Sequence, residues 1–170
     1  MYLRQKAIEY AYFWWNKRNP QFYNFDSLGG DCTNFVSQCL YFGGIEMNYH
    51  TLGWFYDALD FRSPSWTGVE EFYNFATQNQ QNVGVRAKVV DISQIEVGDI
   101  VQLSQNDGDF HHTLLITKII EQKSPENILL TCHTFDAKDK SLASYFYKKV
   151  RYLKILNWYP SKKVEINLTL

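Results

Sequence analysis

The sequence predicts an α+β protein in which helices come first and strands follow. Amphipathic helical patterns occupy the N-terminal half, whereas short runs rich in β-branched and aromatic residues dominate from about residue 85 onward. A chain of 170 residues corresponds to one domain, and an apolar share of 45% is enough for a buried core. We therefore expect residues 1–170 to form a single domain.

Three helices are predicted in the part of the sequence before residue 85. The first covers residues 2–18, where apolar residues recur at helical spacing until Asn19-Pro20 ends the pattern. The second covers residues 31–42 and is stopped by a pair of glycines. The third covers residues 67–77 and opens with Thr-Gly-Val-Glu, a capping-box pattern.

Five strands are predicted in the second half, and a turn-rich segment at residues 104–109 joins the second strand to the third as a hairpin. The expected architecture is a group of N-terminal helices packed on a small antiparallel sheet. The strands cover residues 86–90, 99–103, 113–120, 128–132 and 150–156.

The charge pattern excludes some classes of function. The net charge is −1 and Lys and Arg form no long run, which argues against a nucleic-acid partner. No apolar stretch approaches the roughly 20 residues that cross a bilayer, so no membrane span is predicted. The N-terminus carries charges throughout and is interpreted as a helix of the domain, not as a secretory signal. A signal that was removed, or that lies outside this chain, would still allow export.

The chain contains three cysteines, Cys32, Cys39 and Cys132. An odd and sparse count argues against a disulfide framework, although Cys39 and Cys132 could form one bridge. The absence of a CxxC pair argues against a structural zinc site.

The strongest chemical signal is Gly29-Gly30-Asp31-Cys32. The glycines allow a sharp turn, and Asp31 is a suitable N-cap, which places Cys32 in the first turn of the second helix. Free N–H groups and the helix dipole there would lower the pKa of the thiol, and the same N–H groups could serve as an oxyanion hole. We expect Cys32 to be an exposed nucleophile. A buried structural thiol is the alternative.

A thiol nucleophile needs a base, and His111-His112 opens an apolar strand. Alternation places His112 on one face with Leu114 and Ile116, which we interpret as the face that meets the cysteine helix. His112 is therefore the candidate base, and a solvated pair of histidines at a strand end is the alternative.

A third polar group should orient the imidazole. His133 ends the next predicted strand and is the first candidate, Asp136 is the second, and a merely structural His133 is the alternative. A zinc hydrolase that uses His111 or His112 with His133 and Asp136 is a weaker hypothesis, because no HExxH or comparable spacing is present.

Candidate substrate-binding residues surround the cysteine motif. Tyr23, Trp54 and Trp66 are in predicted loops or at a helix start near it, and Asp31 directly precedes the nucleophile. Trp66 is preferred among the aromatic residues because it precedes the cap of the third helix. The alternative is that these side chains serve packing.

The ten residues 29–38, Gly-Gly-Asp-Cys-Thr-Asn-Phe-Val-Ser-Gln, resemble the nucleophile motif of the putative amidase domain family. That family is related to the NlpC-like and CHAP cell-wall peptidases of the papain-like superfamily. The resemblance continues at residues 65–67, 97–101, 112–113 and 133–136, and covers roughly residues 5–155.

The resemblance implies a papain-like (NlpC-like) fold and a Cys-His dyad with a third polar residue. By position Cys32 is the nucleophile, His112 the base and His133 the third member. The resemblance further implies that the protein hydrolyses peptide amide bonds of bacterial peptidoglycan through a thioester intermediate, with no metal or organic cofactor. The rival hypothesis is a catalytically silent peptide- or glycan-binding module on the same fold.

Overall fold

A computed structural model describes residues 1–158, so the part of the predicted 1–170 domain at 159–170 lies outside the described residues. Four α-helices, two short 3₁₀-helices (Ile92–Gln94 and Leu142–Ser144) and eight strands are present in the described part. The helices are α1 (Arg4–Trp14), α2 (Cys32–Phe42), α3 (Pro64–Thr67) and α4 (Val69–Gln78). The strands are β1 (Tyr56–Ala58), β2 (Phe61–Arg62), β3 (Ala87–Val90), β4 (Ile100–Ser104), β5 (His112–Ile119), β6 (Ile128–Cys132), β7 (Ala137–Ser141) and β8 (Lys149–Ile155).

The strands β3 to β8 form one antiparallel sheet in the order β3-β8-β4-β5-β6-β7, and β1 pairs with β2 in a separate small sheet. This arrangement confirms the predicted α+β class. The predicted hairpin is also confirmed, because β4 and β5 are antiparallel neighbours with Leu103 opposite His112. None of the helices in residues 1–158 has both the length and the apolar character that a bilayer-spanning helix requires.

The structure differs from the sequence prediction in the bounds of two helices and in one additional strand. The helix α1 ends at Trp14, not at residue 18. The capping box at residues 67–70 does not form, because residues 64–67 fold into α3 and the N-cap of α4 is Gly68. The strand β7 was not expected, since its sequence Ala-Lys-Asp-Lys-Ser is mostly charged. It lies at the edge of the sheet, where outward-pointing charged residues are tolerated.

The six-stranded sheet is buried on both faces. One face packs against the helices, where Ile100, Leu115 and Leu153 join a core with residues of α1, α2 and α4. The other face carries a second core that includes Leu114 and Ile116. Burial on both faces explains why β5 is an almost continuous apolar run instead of an alternating one.

The helix α2 lies deep in the first core, and two tryptophans hold it in place. The indole N–H of Trp66 donates to Asn34 Oδ1 at 2.9 Å, and that of Trp54 donates to Ser37 Oγ at 3.1 Å. Both indoles are fully buried, and their ring centroids lie 4.7 Å apart with the ring planes tilted by 36°. The prediction that Trp54 and Trp66 line a substrate groove is therefore wrong, because hydrophobic burial places them behind α2.

Candidate active site

Cys32 is the first residue of α2 and follows two glycines in the left-handed backbone region, Gly29 at φ 90° and Gly30 at φ 106°. A Cβ atom on Gly30 would lie 3.1 Å from Thr134 Oγ1, a closer approach than most side chains tolerate. The same hydroxyl accepts a 2.7 Å hydrogen bond from the backbone N–H of Asp31. The turn before the candidate nucleophile therefore depends on glycine for both conformation and space.

The thiol of Cys32 is buried, with a relative exposure of 5%, so the prediction of an exposed nucleophile is wrong. Burial raises the pKa of the Cys32 thiol, and this outweighs hydrogen bonds from the backbone of Thr113 and from Thr33, which lower it. The expected net depression of the pKa by the helix N-terminus is not found. The resting group is a thiol at neutral pH.

His112 is the first residue of β5 and is partly buried, with its ring centroid 6.2 Å from that of Tyr145. Burial lowers its pKa to about 4, and the charges of His111 and Lys140 act in the same direction. The imidazole is therefore neutral at pH 7 and able to accept a proton.

The predicted orientation of β5 is wrong. Thr113 and Leu115 point toward the helices, whereas Leu114 and Ile116 belong to the second core, and alternation places His112 on that same side. In residues 1–158 no hydrogen bond joins Cys32 to His112. The link between them is indirect, since Thr33, which follows Cys32, contacts Thr113, which follows His112.

His111, the other member of the histidine pair, is exposed. Its Nδ1 lies 3.4 Å from the carbonyl oxygen of Asp109 in the preceding loop. The structure therefore places this ring at the surface, apart from the buried thiol.

His133, the predicted third member, is fully buried, and both of its ring nitrogens contact other groups. Nδ1 lies 2.6 Å from Asp31 Oδ2, and Nε2 lies 2.8 Å from the carbonyl oxygen of Trp14. The ring also stacks on Phe35 at 3.9 Å between centroids. The predicted contact of His133 with His112 is not present in residues 1–158.

Asp31 is also fully buried, which contradicts its predicted role in substrate binding. Its Oδ1 accepts hydrogen bonds from the backbone N–H of Phe25 at 2.9 Å and from Asn34 Nδ2 at 2.8 Å. Its side chain caps no N–H group of α2, contrary to the N-cap prediction. Asp31 instead joins the loop before Cys32 to His133.

Asp136, the alternative third member, pairs with Arg18 at 2.8 Å, and Arg18 also contacts Asp26 and Asp31. Two residues of the zinc hypothesis, His133 and Asp136, are therefore engaged in other contacts. In the part of the chain that the structure describes, no group of three or more His, Cys, Asp or Glu side chains is arranged to hold a metal ion.

A buried hydrogen-bonded chain leads to Cys32 and was not expected from the sequence. Thr33 Oγ1 lies 3.9 Å from Cys32 Sγ and 2.9 Å from Thr113 Oγ1. Thr113 Oγ1 accepts from Gln102 Nε2 at 3.1 Å, and Gln102 Oε1 accepts from Arg151 Nε at 2.7 Å. The only signal in the sequence is that Thr33 and Thr113 each follow a candidate catalytic residue.

The far end of this chain is an ion pair. Arg151 lies 3.2 Å from Glu70 Oε2, and its guanidinium is held between the rings of Tyr73 at 3.6 Å and Phe110 at 4.0 Å. Glu70 Oε1 also accepts from the backbone N–H of Phe110 at 2.8 Å, in the loop before His112. One ion pair thus supports both the hydrogen-bonded chain and the loop that leads to the candidate base.

Two adjoining cavities lie beside the cysteine motif. The proximal cavity, of about 440 Å³, is lined by Gly29, Gly30 and Arg62 among others. The distal cavity, of about 590 Å³, is formed by one face of α4 and two neighbouring loops. Both are bounded by Pro64 and Glu71, so together they form a cleft that starts at the glycine turn.

Tyr23 is partly exposed and packs edge-on against Phe25 at 5.1 Å between ring centroids. Phe25 lines the proximal cavity. A role for Tyr23 in substrate binding stays a prediction.

Comparison with known proteins agrees with the sequence motifs. The family model described as "Putative amidase domain" matches residues 1–156. The uncharacterized protein YhbB of Bacillus subtilis (strain 168) is 32% identical over 142 residues, which cover 81% of this chain and 43% of YhbB. The chain thus spans less than half the length of that curated relative. No solved structure gives a significant match. Because the family model covers nearly the whole chain, the chain belongs to the putative amidase domain family.

Proposed function

We propose that the chain is a cysteine-dependent hydrolase of amide bonds with a papain-like (NlpC-like) fold, in which Cys32 is the nucleophile and His112 the general base. The observation that carries the proposal is the 2.9 Å contact between Thr33 Oγ1 and Thr113 Oγ1, because these two threonines directly follow Cys32 and His112. This contact holds the start of α2 against the start of β5. Membership in an amidase family indicates hydrolase activity and supports the proposal.

The resting dyad consists of two neutral groups, because the pKa of Cys32 is raised and that of His112 is lowered. Proton transfer therefore accompanies attack, and no thiolate–imidazolium pair forms beforehand. As the sulfur bonds to the amide carbonyl carbon, His112 takes the thiol proton. It then protonates the amine that leaves, which yields a thioester. Water attacks the thioester, His112 takes a proton from this water, and Cys32 regains its proton as the acid leaves.

The start of α2 offers a place for the negative oxygen of the tetrahedral intermediate. The first N–H groups of a helix lack partners within the helix. No side chain caps them here, because Asp31 binds Phe25, Asn34 and His133 instead. Uncapped N–H groups beside Cys32 are suited to stabilise an oxyanion.

His133 is assigned a positioning role in this proposal. Its Nδ1 lies 2.6 Å from Asp31 Oδ2 and its Nε2 lies 2.8 Å from the carbonyl oxygen of Trp14. It thereby holds the loop that precedes Cys32 and has no free nitrogen for His112. This assignment replaces the third-member role that the family resemblance implies.

The proposed substrate is a peptide amide of bacterial peptidoglycan, on the basis of the family resemblance. The proximal cavity supports a peptide substrate, since it starts at the glycine turn that precedes Cys32. The mechanism requires no metal or organic cofactor.

A catalytically silent binding module is the second candidate. It is favoured by the lack of a hydrogen bond between Cys32 and His112 in residues 1–158 and by the raised pKa of the thiol. Such a module would bind a peptide or glycan in the cleft without hydrolysing it.

Mass spectrometry of peptidoglycan fragments incubated with the purified protein tests the proposal. We expect products whose masses sum to that of the substrate plus one water. Cys32→Ala should abolish them, while Cys39→Ala, which removes a thiol from the core, should retain turnover per folded molecule. Turnover by folded Cys32→Ala would overturn the nucleophile, and binding without any turnover by the native protein would favour the silent module.

A further inference from the structure

The distal cavity is lined by carboxamide side chains that have unused hydrogen-bonding capacity. Asn74 and Gln78 are four residues apart and therefore lie on one face of α4. Both are exposed, as is Gln80, and none of the three forms a side-chain hydrogen bond with another described residue. Gln81 accepts from Asn48 through its oxygen at 2.7 Å, and its NH₂ group has no partner in the described part of the chain. Each carboxamide can offer both donors and an acceptor to a ligand.

The same cavity also has apolar walls. Leu52 is 84% exposed at its rim and has a φ of 59°, a left-handed conformation that is strained for a leucine. Phe75 is partly buried and lines the cavity from α4. Strained residues often mark ligand-binding sites. The volume of about 590 Å³ lies within the range of roughly 300–1,000 Å³ that is common for ligand sites.

The two cavities differ in the charged residues that line them. None of the described residues that line the distal cavity is Lys or Arg, and its one charged residue, Glu71, lies on the boundary with the proximal cavity. The proximal cavity contains Arg62, which a peptide carboxylate would pair with. A peptide chain that carries carboxylates therefore suits the proximal cavity, and an uncharged ligand suits the distal one.

We propose that the distal cavity binds an N-acetylated sugar of the glycan strand, so that the substrate is a peptide still attached to its glycan. This rests on the proposed function, which supplies the peptide amide at Cys32. A sugar ring has an apolar C–H face that would pack on Leu52 and Phe75. Its hydroxyl and acetamido groups would pair with Asn74 and Gln78. A peptide in the distal cavity is the competing occupant.

The probe is tri-N-acetylchitotriose, titrated into ¹⁵N-labelled Cys32→Ala protein and followed by NMR, so that binding is measured without turnover. We expect chemical-shift changes confined to the loop at residues 51–53 and to residues 71–81. The double variant Asn74→Ala/Gln78→Ala should weaken binding roughly tenfold or more, because each substitution removes hydrogen bonds to the sugar. Gln5→Ala is the matched control, since Gln5 is an exposed glutamine on α1.

Three outcomes would overturn the inference: no binding at millimolar sugar, shifts elsewhere on the protein, or an unlinked stem peptide that occupies the distal cavity. Turnover gives an independent readout. The double variant should raise KM for a glycan-linked peptide and leave KM for the free peptide unchanged. If the native protein binds the sugar but hydrolyses neither substrate, the glycan site stands and the proposed hydrolase function falls.

Discussion

The hydroxyl oxygens of Thr33 and Thr113 lie 2.9 Å apart, and this contact joins the helix of the candidate nucleophile to the strand of the candidate base. Each threonine directly follows one member of the dyad in the chain. The contact fixes the backbones of Cys32 and His112 relative to each other, although their side chains form no direct hydrogen bond in residues 1–158.

The two adjacent histidines should differ in their effect on catalysis. We expect His112→Ala to lower kcat/KM by roughly 10² to 10⁴, the usual contribution of a general base. His111→Ala should retain most activity, because His111 is exposed and contacts only its own loop. Steady-state kinetics of both variants on the substrate identified by mass spectrometry provides the measurement. The reverse pattern would move the base to His111, and small losses for both would remove the dyad.

The protonation of His112 should also appear in the stability of the protein. The pKa of His112 falls from 6.5 to about 4 on folding because burial disfavours the charged ring. Between these values the unfolded chain binds a proton that the folded chain does not. The free energy of unfolding should therefore decrease as pH falls from 6.5 toward 4, and the contribution of His112 should be complete above pH 6.5.

Urea unfolding of the native protein and of His112→Gln at several pH values tests this linkage. The variant should lose less stability than the native protein over the acid range, by roughly 1–3 kcal/mol. His50→Gln is the control, since His50 is exposed in a loop. Parallel pH profiles for the native protein and His112→Gln would show that His112 titrates normally in the folded state.

The sequence predicted the elements that carry the two candidate dyad residues, because the signals for these elements are local. The glycine turn and the apolar pattern identified the start of α2, and the histidine pair identified the start of β5. The sheet face predicted for His112 was wrong. Because β5 is buried on both sides, the alternation of apolar residues does not indicate which of the two cores a side chain faces. The predicted direction of the Cys32 pKa shift was wrong because burial, which outweighs the hydrogen bonds that lower this pKa, depends on contacts between residues distant in the chain.

Other parts of the site could not be predicted because they join distant segments. Gln102 and Arg151 reach Cys32 only through strand pairing between β4, β5 and β8. Trp54 and Trp66 were interpreted as groove residues because an aromatic residue in a loop has the same sequence signal whether it faces solvent or the core. Their burial behind α2 is a result of tertiary packing.

The pair of His133 and Asp31 should stabilise the fold rather than contribute to the dyad. Both side chains are almost fully buried, with a contact of 2.6 Å. Removal of one partner leaves the other buried polar group without its hydrogen bond, which costs roughly 1–3 kcal/mol. We therefore expect His133→Ala and Asp31→Asn to lower the unfolding free energy strongly, and the double variant to cost less than the sum of the two.

Thermal and denaturant unfolding of the two single variants and the double variant measures this coupling, with His50→Ala as an exposed control. A His133→Ala protein of native stability that loses only kcat would contradict the assignment. That result would return His133 to the role of third catalytic member.

The hydrogen bonds that link Arg151 to Cys32 run in one donor-to-acceptor direction, and this direction affects the reactivity of the thiol. Gln102 Nε2 donates to Thr113 Oγ1, so the hydroxyl proton of Thr113 is free to point to Thr33 Oγ1. The hydroxyl proton of Thr33 is then directed to Cys32 Sγ, where a donor stabilises the thiolate and lowers the pKa. In this direction each hydroxyl donates to the next group along the chain.

Gln102→Leu removes the three hydrogen bonds of the carboxamide, with Thr113, Arg151 and the carbonyl of Val69, and the Thr113 hydroxyl then loses the donor that fixes its direction. We expect the pKa of Cys32 to rise and the rate of iodoacetamide labelling of Cys32 at a given pH to fall, because the thiolate is the reacting species. Thr33→Val should have the same effect, whereas Thr33→Ser should restore labelling, since it keeps the hydroxyl group. Labelling rates measured across a pH series by peptide mapping, below the unfolding temperature of each variant, provide the test.

Gln102→Leu also leaves buried groups unpaired and should cost roughly 1–3 kcal/mol of stability. If stability falls but the pH profile of labelling is unchanged, the hydrogen-bonded chain supports only the fold, and the proposed influence of Gln102 on the nucleophile is wrong.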